Sequence, residues 1–455
     1  MRRALLVAIA ASLVAGCRVG PKYERPTVSI PAQHRSAEVP ATAVSIGERK
    51  WFDMFEDEAL RKLITEALQA NYDVKIAAQR ILEAQGRVTQ TKSGLFPQLN
   101  VSGQANKQNN PGSSLSTFAG LGLLSWQIDF FGQVLSATDA ARAEMLATEE
   151  NQKAVLQTIV ASVANGYFHL RSLDGQLEFA QESLKTRTES LRLVAARLQG
   201  GVASKLEADQ AETLVATAAA TIATLESSIQ QTENYLSVLL GRNPGPIERG
   251  RAFDAQPEPP AVPSGLPSAL LDRRPDVRFA EEKLIAANAR VGVAKAAFFP
   301  SIALTGGGGY QSVDLTGIVN RKGGVSLWGA SVDIPIFDAG ARIGNYRATQ
   351  AQKQQLAFNY QQTVLNAFRD VSDSLIGYQK AKETRVHQTR LATTLRDQSR
   401  LSTLRYRGGV TSYLEVLDTE RQRLDAEQSL ADAYRAELTS LVSLYIALGG
   451  GWQPL

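Results

Sequence analysis

The chain has little of what builds an enzyme centre or a metal site. Its 455 residues hold one cysteine, Cys17, and three histidines, His34, His169 and His387, far apart in sequence. A single cysteine forms no internal disulfide, and no His-x-x-x-His spacing is available to hold zinc. Serine, aspartate and glutamate are plentiful but sit in helical patterns as exposed faces. We therefore expect no enzyme, no metal and no cofactor. After residue 17 no apolar run reaches the about eighteen residues that a spanning helix needs, so any membrane-spanning part must be β. The formal net charge is only +4, which gives no reason to expect a nucleic-acid partner. Proline is sparse and concentrated: positions 244, 246, 257, 259, 260, 263 and 267 make the segment from Arg242 to Pro267 the one loop-like stretch.

The N-terminus accounts for the lone cysteine. Arg2 and Arg3 form a basic start, Ala4 to Val14 form a short apolar core, and Leu13-Val14-Ala15-Gly16-Cys17 closes it with small residues, the layout of a removable export signal. The run resembles a bacterial lipobox, in which the cysteine is diacylated and becomes the mature N-terminus. Residues 1–16 would then be the signal peptide and Cys17 the lipid-attachment site, with more than one acyl chain giving a stable anchor. Loss of Arg2 and Arg3 lowers the net charge to +2. Arg18 follows the cysteine where an inner-membrane retention signal has aspartate, so the expected location is the outer membrane, lipid-anchored and extending into the periplasm. The bland alternative is an ordinary cysteine near a conventional cleavage site.

Long stretches rich in Ala, Gln, Leu, Glu and Arg, without glycine or proline, indicate long helices. Leu156, Val163, Leu170, Leu177, Leu184, Leu191 and Leu198 recur every seven residues, with Ile159, Gly166, Leu173, Ala180 and Val194 at the companion offset. This is a coiled-coil seam. The helix would run from about Gln133 to Leu198, roughly 100 Å at the helical rise. Arg187 breaks the companion row, and we expect its guanidinium to point out of the seam. The second long helix keeps the row at Val364, Val371, Tyr378 and Ala392 but not at Arg385 or Ser399.

The chain is also a tandem repeat. Leu95-Phe96-Pro97 returns as Phe298-Phe299-Pro300, Ile128 to Phe131 as Ile334 to Phe337, and Gly200 to Glu207 as Gly408 to Glu415. Each half reads as a helix, a pair of strands, a very long helix, a Gly-Gly turn and a returning helix. The boundaries follow: an extended N-terminal segment at 17–50, a first repeat at 51–241, the Pro-rich linker at 242–267, a second repeat at 268–451 and a short tail at 452–455. Strands are expected around Leu99 to Gly103 and Leu121 to Phe131, then around Ile302 to Gly306 and Ser326 to Phe337. Each is near the length that crosses a bilayer. Trp126, Phe130, Phe131, Trp328 and Phe337 would lie at or near strand ends as interfacial aromatics. The run Gly306 to Gly309 lacks the Lys-Ser/Thr of a phosphate loop and reads as strand or external loop.

The expected class is mainly α with a membrane β part. Four strands cannot close a barrel alone, and open edges are not tolerated in lipid. Three copies would supply a 12-stranded β-barrel continuing into a 12-helix α-barrel tunnel. A small soluble β-domain beside a coiled-coil rod is the alternative.

Several runs together carry a family resemblance: Gly20-Pro21-Lys22-Tyr23-Glu24-Arg25-Pro26, Tyr167-Phe168-His169-Leu170-Arg171-Ser172-Leu173-Asp174, Leu271-Asp272-Arg273-Arg274-Pro275-Asp276-Val277-Arg278, Ile334-Pro335-Ile336-Phe337-Asp338-Ala339-Gly340 and Leu448-Gly449-Gly450-Gly451-Trp452. The sequence resembles the TolC-type outer-membrane factors, in particular the NodT-like lipoproteins of resistance-nodulation-division (RND) efflux pumps. That resemblance implies a passive homotrimeric conduit for drugs or other small toxic solutes. It also implies a periplasmic membrane-fusion adaptor and an inner-membrane RND pump as partners. The chain departs from the family at Gln133 and Glu207, where a basic residue and aspartate are common. A type I protein-secretion channel and a structural coiled-coil lipoprotein remain alternatives.

The Gly-Gly turns are where mechanism should reside. Gly200, Gly201 and Val202, with Gly408, Gly409 and Val410, form two hairpin tips that the resemblance assigns to adaptor contact. Ser204-x-x-Glu207 and Ser412-x-x-Glu415 read as capping boxes. The resemblance places a periplasmic gate at Leu414, Glu415 and Asp418, with Tyr406, Thr411 and Arg421 nearby and Glu207 at the first tip. Glu415 is thus either a gate residue or only a cap. Asp418 and Arg421, three apart, are either an exposed helical pair or members of charged rings around a pore.

Overall fold

Five elements recur in the same order in both halves of the chain, and the first half has an additional leading helix. The computed structural model describes residues 18–35, 45–54, 57–111, 113–255, 267–319 and 323–453. Cys17, the signal segment and residues 256–266 of the Pro-rich linker lie outside them. The first half has helices α1 (Glu58–Ala70) and α2 (Tyr72–Ser93), strands β1 (Gln98–Asn110) and β2 (Ser113–Ile128), and helices α3 (Gln133–Gln199) and α4 (Lys205–Leu239). The second has α5 (Pro275–Ala296), β3 (Ser301–Ser312), β4 (Gly324–Asp333), α6 (Ala341–Arg407) and α7 (Tyr413–Ala447). The two long helices are 67 residues each and the two returning helices 35 each, so the helical hairpin repeats exactly in length. Among the described residues no helix is long and apolar enough to cross a membrane.

The chain divides into two compact units, Met1–Val28 with Gln79–Glu150 and Arg278–Thr363, and Ser29–Ala78 with Asn151–Val277 and Val364–Leu455. The first unit holds an antiparallel four-stranded sheet in the order β1-β2-β3-β4. Direct cross-strand partners share a face. Leu99, Leu124, Gly306 and Trp328 lie in one row, and Trp126 with Leu304 and Ile302 with Val332 continue that apolar face. The opposite face carries Gln98, Ser125 and Thr305, then Gln104 and Gln311, interrupted midway by Leu121, Leu123, Val325 and Leu327. All four glycines of 306–309 are in β3, where a Cβ on Gly309 would sit 2.0 Å from the Gly120 carbonyl oxygen.

The strands differ from expectation at their ends. β2 begins at Ser113 and stops at Ile128, and β4 stops at Asp333. Polar residues join the β1–β2 ladder as far as Asn110 and Ser113 because a hairpin pairs whatever lies beside its turn. Pro335 has no N–H to donate, so the ladder cannot continue to Phe337. Phe130, Phe131 and Phe337 therefore lie outside the strands. Trp328 sits mid-strand, 79% exposed, with its ring across Gly306. Phe131 stacks on Phe299 at 4.7 Å between centroids, and the Trp126 indole donates to the Leu95 carbonyl at 3.0 Å.

An extended strap, residues 18–28, completes this unit. Arg25 donates twice to the buried Glu281 carboxylate, at 2.6 and 2.8 Å. The Asn288 amide donates to the Pro21 carbonyl at 2.9 Å. These contacts hold the residues just after Cys17 along α5.

The second unit has the larger core, around Trp51, Leu60, Ile64, Val163, Tyr167, Leu170, Leu236, Val371 and Tyr445. Leu60, Leu63, Ile64 and Ala67 form the apolar stripe of α1, which begins at Asp57, whose carboxylate accepts from the Ala59 N–H at 2.9 Å. The same carboxylate accepts from the Tyr167 hydroxyl at 2.8 Å, tying α1 to α3.

The heptad rows of α3 are not equally buried. Ile159, Gly166, Leu173, Ala180, Arg187 and Val194 are all buried, whereas in the leucine row only Val163 and Leu170 are. The companion row is thus the true seam of the chain. Arg187 does not point outward: its guanidinium donates to the Leu214 carbonyl at 3.1 Å and the Glu420 carbonyl at 3.4 Å. Carbonyl oxygens that accept its protons let the charge remain inside, and burial lowers its pKa. In α6 the two apparent breaks in the row are filled likewise. Arg385 pairs with Glu437 and lies 5.1 Å from the Tyr434 ring centroid, and the Ser399 hydroxyl donates to Glu420.

Candidate functional site

Both long helices end in the same turn. Gly201 and Gly409 take φ of +75° and +73°, a region that favours glycine. The Gly201 N–H donates to the Leu198 carbonyl and the Val202 N–H to the Arg197 carbonyl, while Gly409 and Val410 repeat this with Tyr406 and Arg405, at 2.9 to 3.0 Å throughout. These are Schellman motifs, which satisfy the last carbonyls of each helix. They leave Val202 and Val410 projecting, 68% and 72% exposed.

The next helix starts differently in the two halves. At the first tip the capping box forms: the Ser204 hydroxyl accepts from the Glu207 N–H at 3.2 Å, and the Glu207 carboxylate accepts from the Ser204 N–H at 3.0 Å. At the second tip Ser412 makes no side-chain cap bond. The Glu415 carboxylate instead accepts from the Thr411 hydroxyl, and its other oxygen lies 3.4 Å from Arg405. The expected second capping box is thus absent. A neighbouring hydroxyl and guanidinium outcompete the backbone N–H, since a bond to a charged partner is the stronger one.

Behind this turn, Val194, Ala211, Tyr406, Tyr413 and Val416 pack as a small core. The Tyr406 and Tyr413 rings lie 5.2 Å apart, and the Arg197 guanidinium sits 4.7 Å over Tyr406 while donating to the Tyr406 carbonyl. Burial raises the pKa of both tyrosines. Tyr406, Thr411 and Glu415 are therefore brought together, with Arg197, Arg405 and Tyr413 as members that sequence reasoning missed. The signal was present: Arg197 and Arg405 occupy equivalent places in the two repeats, four residues before Gly201 and Gly409.

Leu414 is exposed beside Glu415. Asp418 accepts from Gln422 at 2.7 Å and from Arg421 at 3.4 Å, and both partners of the Asp418–Arg421 pair are more than half exposed. Glu207 belongs to the first tip and serves its own cap. Among the described residues no group of acidic, histidine or cysteine side chains could hold a metal ion.

Residues 63–242 and 266–450 match the outer membrane efflux protein family. The chain belongs to this family. Its relatives include the cation efflux system protein CusC of Escherichia coli, 35% identical over 456 residues and 99% of both chains. The probable efflux pump outer membrane protein TtgC of Pseudomonas putida is 34% identical, over 99% of this chain and 96% of the relative. The fold matches the open state of the Neisseria gonorrhoeae MtrE outer membrane channel with a TM-score of 0.87 and 31% identity, over 96% and 99% of the two chains. A CusC crystal structure matches at 0.86 and 33% identity, over 96% and 100%. As a family member the chain is an outer-membrane efflux protein, and its four strands and paired long helices are those of the family fold.

Proposed function

We propose that three copies of the chain form a passive conduit through the outer membrane and into the periplasm. The observation that carries this reading is the open sheet. One face is apolar, the other mostly polar, and among the described residues β1 and β4 have no partner on their outer sides. In lipid those edges must be paired. Three four-stranded sheets joined edge to edge give a closed barrel of twelve, with the apolar face to lipid and the polar face to the lumen.

The helices α3, α4, α6 and α7 then make the tunnel, and Glu415, Asp418, Arg421, Leu414, Thr411 and Tyr406 line or brace its periplasmic gate, with Glu207 at the neighbouring tip. The exposed Val202 and Val410 at the Gly-Gly turns offer apolar contacts to a periplasmic adaptor that links the conduit to an inner-membrane RND pump. Cys17 carries the lipid anchor, and the strap of residues 18–28 sets where it emerges. The protein has no catalytic role. Its relatives are named for the efflux of cations, toluene and other solvents, and antibiotics; for this chain the cargo is small toxic solutes chosen by the pump.

Insertion into planar bilayers tests the reading. Purified protein should open discrete, ohmic pores whose conductance scales with salt. Protein that stays inert in bilayers, although correctly folded by circular dichroism, would overturn it.

A further inference from the structure

Above the second tip, α3, α6 and α7 enclose an open cleft of about 480 Å³. Four arginines line it, Arg396, Arg400, Arg407 and Arg423, against two carboxylates, Asp397 and Glu420. Two of these cations are only partly answered. The Arg423 side chain is 7% exposed, and its guanidinium reaches Glu420 at 3.3 Å and Glu182 at 4.0 Å, although its buried Nε has no hydrogen-bond partner among the described residues. Arg407 is exposed and enters no ion pair or hydrogen bond among them.

Arg396 is matched by Glu427 and Arg400 by Asp397, both at 2.8 Å. Arg187, in the adjoining hollow, reaches only carbonyl oxygens, and its Nε is also buried without a partner. Among the arginines lining the cleft, Arg407 is thus the one left without a carboxylate partner among the described residues, with Arg187 likewise lacking an ion pair beside it. An anion in the cleft would give Arg407 a counter-charge that the described residues do not supply.

We propose that this cleft binds a small organic anion bearing two or more carboxylate or phosphate groups. Guanidinium groups match both oxyanions with paired N–H bonds. The volume falls within the range of small-molecule sites, about 300–1,000 Å³, and exceeds what an inorganic ion fills. Leu404 and the threonines Thr186, Thr393 and Thr403 supply an apolar wall for a carbon skeleton. The occupant would bridge Arg400 and Arg407 on α6 to Arg423 on α7, tying together the helix pair that carries Arg405, Glu415 and Asp418.

Isothermal titration of the full-length protein in mild detergent tests this, with citrate and inorganic phosphate as probes at constant ionic strength set by chloride. Citrate should bind saturably, one per chain, and weaken as salt rises. Arg400→Gln with Arg407→Gln, both exposed positions, should weaken citrate binding by about tenfold or more. Arg390→Gln, exposed on the same helix outside the cleft, should bind as the unaltered protein does. Tighter binding of citrate than phosphate assigns the organic anion. Phosphate binding as tight as citrate, no saturable citrate heat beyond chloride, or equal citrate affinity in the double variant and the unaltered protein would each overturn the proposal. If the double variant misfolds, Arg407→Gln alone gives the same reading.

Discussion

Serine-to-alanine changes at the two tips should behave unequally, although the sequences around them are near copies. Ser204→Ala removes the acceptor of the Glu207 N–H, a 3.2 Å bond at the start of α4. Losing such a cap costs about 1 kcal/mol. The first turn of a helix opens locally, so its amide-exchange protection follows that local free energy. With RT about 0.6 kcal/mol, protection of the amides at 206–208 should fall about fivefold. Ser412→Ala removes no side-chain bond and should leave the amides at 414–416 within experimental error. Thr411→Val should free the Glu415 carboxylate from its hydroxyl donor. Hydrogen-exchange mass spectrometry in detergent reads all three. If Ser412→Ala lost as much protection as Ser204→Ala, the second capping box would exist and Glu415 would be a cap.

Asp418→Ala with Arg421→Ala removes an exposed pair at 3.4 Å, worth only a few tenths of a kcal/mol within one chain. It should raise single-channel conductance without lowering trimer stability, whereas an unchanged conductance would leave the two residues as a simple helical pair. Glu427 titrates upward because burial disfavours its carboxylate, with Arg423 and Arg396 opposing. The folded protein then binds that proton more tightly than the unfolded one, so its contribution is complete below the ordinary glutamate range and is lost as pH rises through the raised value. Glu427→Gln should therefore gain thermal stability relative to the unaltered protein as pH rises from 4.5, read as the gap between two melting curves; a gap that closes with pH contradicts it. Cys17→Ser should abolish acylation, and an unmodified cysteine in mass spectra of the mature N-terminus would remove the anchor.

Periodicity and repetition are strong signals, and they carried most of the fold. The helix expected at Gln133 to Leu198 ends at Gln199, because a glycine pair stops a helix wherever positive φ is needed. Strand ends were less legible, since pairing partners and not local pattern decide how far a ladder runs, as at Ser113 and Asp333. Arg187 was misread because periodicity reports polarity but not which carbonyls wait inside. The unequal tips show the same limit. Ser-x-x-Glu is identical at 204–207 and 412–415, yet Thr411 in place of Ala203 adds a hydroxyl that takes the second glutamate.

The trimeric conduit is tested most directly by native mass spectrometry of the full-length protein released from mild detergent, with far-ultraviolet circular dichroism on the same sample. Three chains per particle, with helical and β signal together, are expected. A stable monomer that retains an intact sheet would contradict the reading, because β1 and β4 would then carry unpaired edges into lipid.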